Sequence, residues 1–237
     1  MAQEKQPKVL LFDIGGVCVV SPFQAILDSE TSLSIPPGWI NHCISATKPS
    51  GTWQRLERGE LLLDTTFFTS FSADLHNPTL WQSFYTSRHP NKPVPPLPKI
   101  DAEYLFWEMM RASRDPDPWM YPALKKLKES GKYVIAALSN TSIFPPSHPY
   151  ATPYPSQDIK SIFDVFISSA HVGLRKPDAA IYTLALSEVS AYAKANAKGH
   201  AGWEDGVKAN EVLFLDDIGE NLKAGKKAGF RTLKVGL

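Results

Sequence analysis

At 237 residues the chain is long for one minimal domain and short for two full ones, so a compact core carrying an inserted unit is the natural reading of its size. Hydrophobic residues at 43%, aromatics at 11% and charged residues at 21% match ordinary globular usage and exclude disordered, collagen-like and heptad-repeat classes. With 25 basic against 24 acidic side chains, no overall field recruits nucleic acid or an anionic membrane, and partners must be read from local sites.

Two cysteines, Cys18 and Cys43, supply neither a disulfide framework nor the paired spacing of a zinc site, so a reducing, cytoplasmic setting is expected. The apolar run from Val9 to Val20 is broken by Asp13 and is too short to span a bilayer, and the polar start MAQEKQPK lacks a signal-peptide pattern. The expectation is a soluble protein. The 20 prolines are about 8% of the chain against a usual ~5%, which predicts short elements and rigid loops.

In chain order, KVLLF (8–12) reads as a buried parallel strand that ends at Asp13, Gly15 and Gly16. The stretch of about a hundred residues before the next strand exceeds any single crossover and must hold an insert. Within it PFQAILDS, TTFFTSFSADL and DAEYLFWEMMRA show helical spacing, whereas HPNKPVPPLP (89–98) reads as a stiff loop. Trp53, Trp81 and Trp107 are expected as core anchors of this insert. Asp117-Pro118 then opens a helix that closes at Gly131, followed by a strand over 133–138 ending at Ser139 and Asn140. PPSHPYATPYP (145–155) is read as irregular, and DVFIS (164–168) as a third strand. Pro177 opens a further helix, and 193–209 is expected to be irregular. EVLFL (211–215) ends at Asp216 and Asp217, NLKAGKKAG is a helix capped by Gly229, and RTLKV (231–235) closes the sheet. This alternation predicts an α/β fold, a Rossmann-like doubly wound parallel sheet with an inserted α-helical cap. Boundaries are expected at 1–18 and 113–237 for the core and 19–112 for the cap.

In such a sheet the strand-end loops converge on one rim. They would gather Asp13, Ser139, Asn140, Lys176 of GLRKPD, and the pair Asp216-Asp217. Several carboxylates at one buried rim repel one another unless a hard cation sits among them, and Mg²⁺ takes oxygen ligands. A lysine and a hydroxyl suit phosphoryl oxygens.

The ordered set FDIGGV, ALSN, GLRKPD and FLDDIGEN resembles motifs I to IV of the haloacid dehalogenase superfamily, and the inserted cap resembles its C1-capped subgroup. LERGEL, FDVFISSAHVGLRKPDAAIY and VLFLDDIGENLKAGKKAG look closest to the phosphatase-like N-terminal domain of soluble epoxide hydrolases and to related acyl-CoA-dehydrogenase-associated domains. The resemblance implies a Mg²⁺-dependent phosphohydrolase acting on a small phosphorylated molecule. It implies Asp13 as nucleophile, with metal ligation by Asp13, the Gly15 carbonyl and Asp217, and by Asp216 through water or from behind. Phosphoryl contacts fall to Ser139, Asn140 and Lys176, with support from Gly16 and Asn221. No nucleic-acid or membrane partner is implied, and the expected assembly is a monomer or homodimer.

The chain departs from the family pattern at Gly15, where the general acid–base aspartate of motif I normally stands. That group is typically worth ~10²–10⁴-fold in rate. Substrates needing little leaving-group protonation, a substitute acid, or phosphate binding without turnover are the alternatives. Hydrolytic dehalogenation, which also lacks that aspartate, is a rival, although Asp216-Asp217 has no use in a metal-independent dehalogenase. Arg55 and Arg58 beside LERGEL are candidates for substrate specificity in the cap, weighed against plain surface charges. His171 is read as structural, and GENLKAGKK as a helix rather than a phosphate loop.

Overall fold

The computed structural model describes residues 6–152 and 158–236. Most of the polar start and residues 153–155 of the loop at 145–155 therefore lie outside the described residues. Five parallel strands, β1 (Val9–Phe12), β2 (Val134–Ser139), β3 (Val165–Ser168), β4 (Val212–Asp216) and β5 (Arg231–Lys234), form one sheet in the order β3-β2-β1-β4-β5. Strand β1 is central, with Phe12 opposite Ala137 of β2 on one side and Leu215 of β4 on the other. The chain moves outward from β1 through β2 to β3, then crosses back to β4. The crevice between β1 and β4 is therefore the topological switch point, where ligands bind in open α/β sheets.

Strands β1 and β2, which read as continuous apolar runs, are buried on both faces, whereas β3 at the sheet edge is only partly buried. Val9 and Leu11 pack on one face with Ile181, Tyr182 and Val189 of helix α9 (Ala179–Ala195) and Leu222 of α10 (Gly219–Lys227). Leu10 and Phe12 pack on the other with Leu124 of α7 (Met120–Glu129), Ile162 and Phe163. Asp117 caps the start of α7, its Oδ1 accepting from the Trp119 and Met120 amides at 2.9 and 2.7 Å. The helix itself starts two residues later than the sequence suggests, because Pro118 and Trp119 form a turn ahead of it. Gly229 adopts φ +90° after α10, the left-handed conformation expected of it.

Six helices occupy the insert: α1 (Phe23–Ser32), α2 (Trp39–Ala46), α3 (Thr52–Glu57), α4 (Thr65–Leu75), α5 (Pro78–Arg88) and α6 (Ala102–Ala112). The sequence reading anticipated α1, α4 and α6. It missed α2 and α3 because they are only eight and six residues long, too short for periodicity to register. It also missed α5, although Asn77 caps it and Pro78 fills its first position. These helices bury their own core around Trp39, Ile40, Phe67, Phe71, Phe84 and Phe106. Trp81 is buried there, while Trp53 and Trp107 are only half-buried against it. The Trp81 indole donates to the Pro95 carbonyl at 2.7 Å, so the proline-rich segment 89–98, which contains no helix or strand, is fastened to the insert. A four-residue helix, α8 (Ser169–Val172), follows β3 and was not anticipated.

The two segments joining insert and sheet lie side by side. The Val20 amide donates to the Asp115 carbonyl at 2.8 Å and the Asp117 amide to the Cys18 carbonyl at 3.0 Å. No helix among the described residues is long and apolar enough to cross a membrane.

Candidate active site

Register places the carboxylates. Asp13 follows Phe12, and its amide continues the ladder by donating to the Leu215 carbonyl at 2.8 Å. That pairing brings it beside Asp216, the last residue of β4. Asp13, Asp216 and Asp217 each offer an oxygen within 4.8 Å of the others. Lys176 enters from the loop ahead of α9, only 1% exposed, and its Nζ lies 2.8 Å from both Asp13 Oδ1 and Asp216 Oδ2. One ammonium thus bridges two carboxylates while a third stands alongside.

The three carboxylates are not equivalent. Asp216 is saturated: Oδ1 accepts from the Ile218 amide at 2.7 Å, Oδ2 from Lys176, and both oxygens from Asn221 Nδ2 at 3.2 and 3.1 Å. Asp13 accepts the Ile14 amide (2.7 Å) and Lys176 on the same oxygen, Oδ1. Asp217 Oδ1 is buried with no hydrogen-bond partner among the described residues. Burial pushes the Asp13 carboxyl up to about 7, with Lys176 pulling it down and Asp216 pushing it further up. Burial followed by the Asp216 charge raises Asp217 as well. For Lys176 burial alone would lower the ammonium, but Asp13 and Asp216 hold it above its ordinary value. The rim has more negative charge than one lysine neutralises, and the orphaned Asp217 oxygen is a donor without a cation. This donor set fits Mg²⁺, which takes hard oxygen ligands. Gly16, at φ +73°, leaves room for the Asp217 carboxylate: a Cβ there would lie 2.6 Å from Asp217 Oδ2.

Ser139, at the end of β2, is buried, and its hydroxyl makes only a long contact, 3.4 Å, to the Asn140 carbonyl. The Asn140 side chain is engaged with its neighbours. Its Oδ1 accepts from the Lys176 amide at 2.8 Å and its Nδ2 donates to the Lys176 carbonyl at 3.0 Å, so the side chain clamps the lysine's main chain. Gly15 has ordinary φ, and an added Cβ would meet nothing nearer than Pro22 Cδ at 3.9 Å. His171 is exposed and hydrogen-bonded to Ser168 Oγ at 2.7 Å, outside the carboxylate cluster.

The insert reaches the strand-end loops through LERGEL, but not through Arg58 of that stretch or Arg55 just before it. Arg58 is tied to Glu60 at 2.5 Å and to the Pro49 carbonyl at 3.0 Å, and half-exposed Arg55 to Glu60 at 3.7 Å. The residue that reaches across is Glu57, paired with Arg175 at 2.6 Å. Sequence reasoning passed over both. The adjacency of Arg175 to Lys176 is the one signal that could have pointed there.

A family model described as haloacid dehalogenase-like hydrolase matches residues 7–229. Among curated relatives, acyl-CoA dehydrogenase family member 10 of Mus musculus is 24% identical over 230 residues, covering 96% of this chain and 18% of the relative. Bifunctional epoxide hydrolase 2 of Mus musculus is 25% identical over 236 residues, covering 96% of this chain and 36% of the relative. The chain thus spans well under half the length of either. A solved dehalogenase with an intermediate complex shares the fold, with a TM-score of 0.53 at 19% identity, covering 98% of this chain and 86% of that one. The family match over nearly the whole chain, on a parallel sheet whose switch point carries Asp13, Lys176, Asp216 and Asp217, identifies the chain as a member of the haloacid dehalogenase-like hydrolases.

Proposed function

We propose that the protein is a Mg²⁺-dependent phosphohydrolase that acts through an aspartyl-phosphate on a small phosphorylated metabolite with a good leaving group. The observation that carries this reading is the Lys176 ammonium 2.8 Å from both Asp13 and Asp216, beside the unpartnered Asp217 oxygen. A carboxylate attacks a phosphate dianion only where cations offset their repulsion.

Asp13 would attack the phosphorus through Oδ2, which accepts no hydrogen bond from the described residues. The P–O bond to the leaving group breaks, and that oxygen departs with the electron pair. Water then attacks the phosphorus of the acyl phosphate, releasing inorganic phosphate and restoring the Asp13 carboxylate. Lys176 would hold Asp13 in place and stabilise charge on the phosphoryl oxygens, and the Ser139 hydroxyl would donate to one of them. Asn140 would contribute its main-chain N–H, since its amide already clamps Lys176. Asp13, Asp217 and the Gly15 carbonyl would hold Mg²⁺, which when bound supplies positive charge at the reacting phosphoryl group. Asp216, saturated by Lys176, Ile218 and Asn221, orients that set from behind. Residues 19–112 would act as the cap, with hinges at the paired segments near Cys18–Pro22 and Ser113–Asp117, excluding water from the first step.

Gly15 leaves no acid beside the leaving group, and the same feature favours a dehalogenase as second reading. The paired Asp216-Asp217 weighs against it, because a cluster of three carboxylates opposes the approach of another anion unless a cation is bound. A phosphometabolite panel with Mg²⁺ and with EDTA, run on the native protein and on Asp13→Asn, tests the proposal. Phosphate release that needs both Mg²⁺ and Asp13 is expected. Metal-independent halide release in place of phosphate release overturns it.

A further inference from the structure

The insert meets the strand-end loops through a buried ion pair that the chemistry above does not use. Glu57, the last residue of α3, has both carboxylate oxygens occupied. Oε1 accepts from the Trp53 indole one turn earlier at 3.0 Å. Oε2 accepts from Arg175 Nε at 2.7 Å and Nη2 at 2.6 Å. Asn140 Nδ2, which clamps Lys176, lies 3.5 Å from the same oxygen. The side chains are 13% and 10% exposed, and burial raises the Glu57 carboxyl while Arg175 pulls it back. The main chain is docked as well. The Ser169 hydroxyl donates to the Glu57 carbonyl at 2.6 Å and accepts from the Thr141 amide at 2.8 Å. Gly59, at φ +68°, sits so close that an added Cβ would fall 2.2 Å from the Ala170 carbonyl oxygen.

We infer that Glu57 is a positioning residue: paired with Arg175, it seats the inserted helices on the strand-end loops and fixes the main chain that carries Lys176. A buried ion pair is weak as a source of stability, since desolvation offsets its attraction, and its better-attested use is to fix a register. Here the register that matters is that of the next residue, whose ammonium must sit 2.8 Å from two carboxylates at once. A misplacement near 1 Å in a reacting constellation can cost roughly 10²-fold in rate. Glu57 belongs to the insert and Arg175 to the sheet's loops, so the lysine is fully held only while the insert is seated. Closure and assembly of the site become one event.

The inference rests on the phosphohydrolase reading, and its test separates the two. Mg²⁺-dependent hydrolysis of p-nitrophenyl phosphate is measured for the native protein, Glu57→Gln, Arg175→Gln, the double variant and Gly59→Ala, with Asp13→Asn as background. Thermal melts check folding, and hydrogen exchange follows the Lys176 amide. Glu57→Gln is expected to lower kcat at least fivefold while KM changes less than threefold. Gly59→Ala, which unseats the loop without altering a charge, should do the same. The double variant should be no worse than the poorer single variant within twofold, and Lys176 amide exchange should quicken at least fivefold in each. A smaller kcat loss in a folded variant overturns the inference, as do single effects that multiply in the double variant, or unchanged exchange. If Glu57→Gln does not fold, Gly59→Ala decides by the same thresholds. Turnover no greater than the Asp13→Asn background refutes the phosphohydrolase reading, and exchange at Lys176 then decides the seating alone.

Discussion

Replacing Gly15 with aspartate offers the sharpest test of why this chain should favour good leaving groups. The backbone admits the change, because Gly15 has ordinary φ and the first side-chain atom meets only Pro22 Cδ at 3.9 Å. A positioned acid is worth ~10²–10⁴-fold, or about 2.7–5.4 kcal/mol at ~1.36 kcal/mol per decade. The new carboxyl joins three carboxylates within 4.8 Å of one another and one lysine. At about 5 Å and an effective dielectric near 20, each unscreened like-charge contact costs about 3 kcal/mol. Summed over three carboxylates that repulsion exceeds the whole gain, so it raises the new group's pKa and holds it in the protonated form that a general acid requires. The expected outcome for Gly15→Asp is a rise of at least tenfold in kcat/KM for alkyl phosphates. Aryl phosphates, whose leaving groups need little protonation, should change less than threefold. The assay is a series of phosphate monoesters of graded leaving-group pKa, in which the variant's dependence should flatten. An unchanged alkyl rate in a variant that melts at the native temperature would refute the reasoning. Gly16→Ala is the built-in contrast, since its Cβ would collide with Asp217 Oδ2 at 2.6 Å and would need φ +73°, so activity should fall.

Lys176→Met should destabilise the fold by about 3–5 kcal/mol, because two buried carboxylates lose their shared cation; denaturant titration reads this, and a loss under ~1 kcal/mol would contradict the bridging role. Mg²⁺ at a hundredfold over its Kd should stabilise the native protein by about 2.7 kcal/mol. Asp217→Asn should erase most of that shift in a thermal melt, because the free oxygen donor is Asp217 Oδ1. Gly225→Ala should cost about 1–3 kcal/mol despite alanine's better helix propensity, because overpacking dominates in a filled core. Its Cβ would lie 2.9 Å from the Phe214 ring, and a neutral or stabilising result would show that the ring yields.

Much of this molecule was legible along the chain because its chemistry hangs on strand ends. Runs such as VLLF and VLFLD are buried on both faces, so only residues just past them can be polar, and those polar residues stood out. The insert was less legible. Helices α2 and α3 are too short to show a period, and α5 announces itself only by Asn77-Pro78.

Composition, strand-end carboxylates and the order of four motifs were enough to place Asp13, Lys176, Asp216 and Asp217 on one rim, because parallel strands with helical crossovers leave their carboxyl ends together. Only the folded chain decided how those groups are used: that Asp216 is saturated while Asp217 keeps a free oxygen, and that Asn140 spends its amide on the Lys176 main chain. It also showed that Glu57, rather than Arg55 or Arg58, pairs with the strand-end loops, its partner Arg175 lying 118 positions away. Hydrogen-bond saturation and charge pairing depend on distances of a few ångströms between residues remote in sequence, and no local pattern encodes such distances.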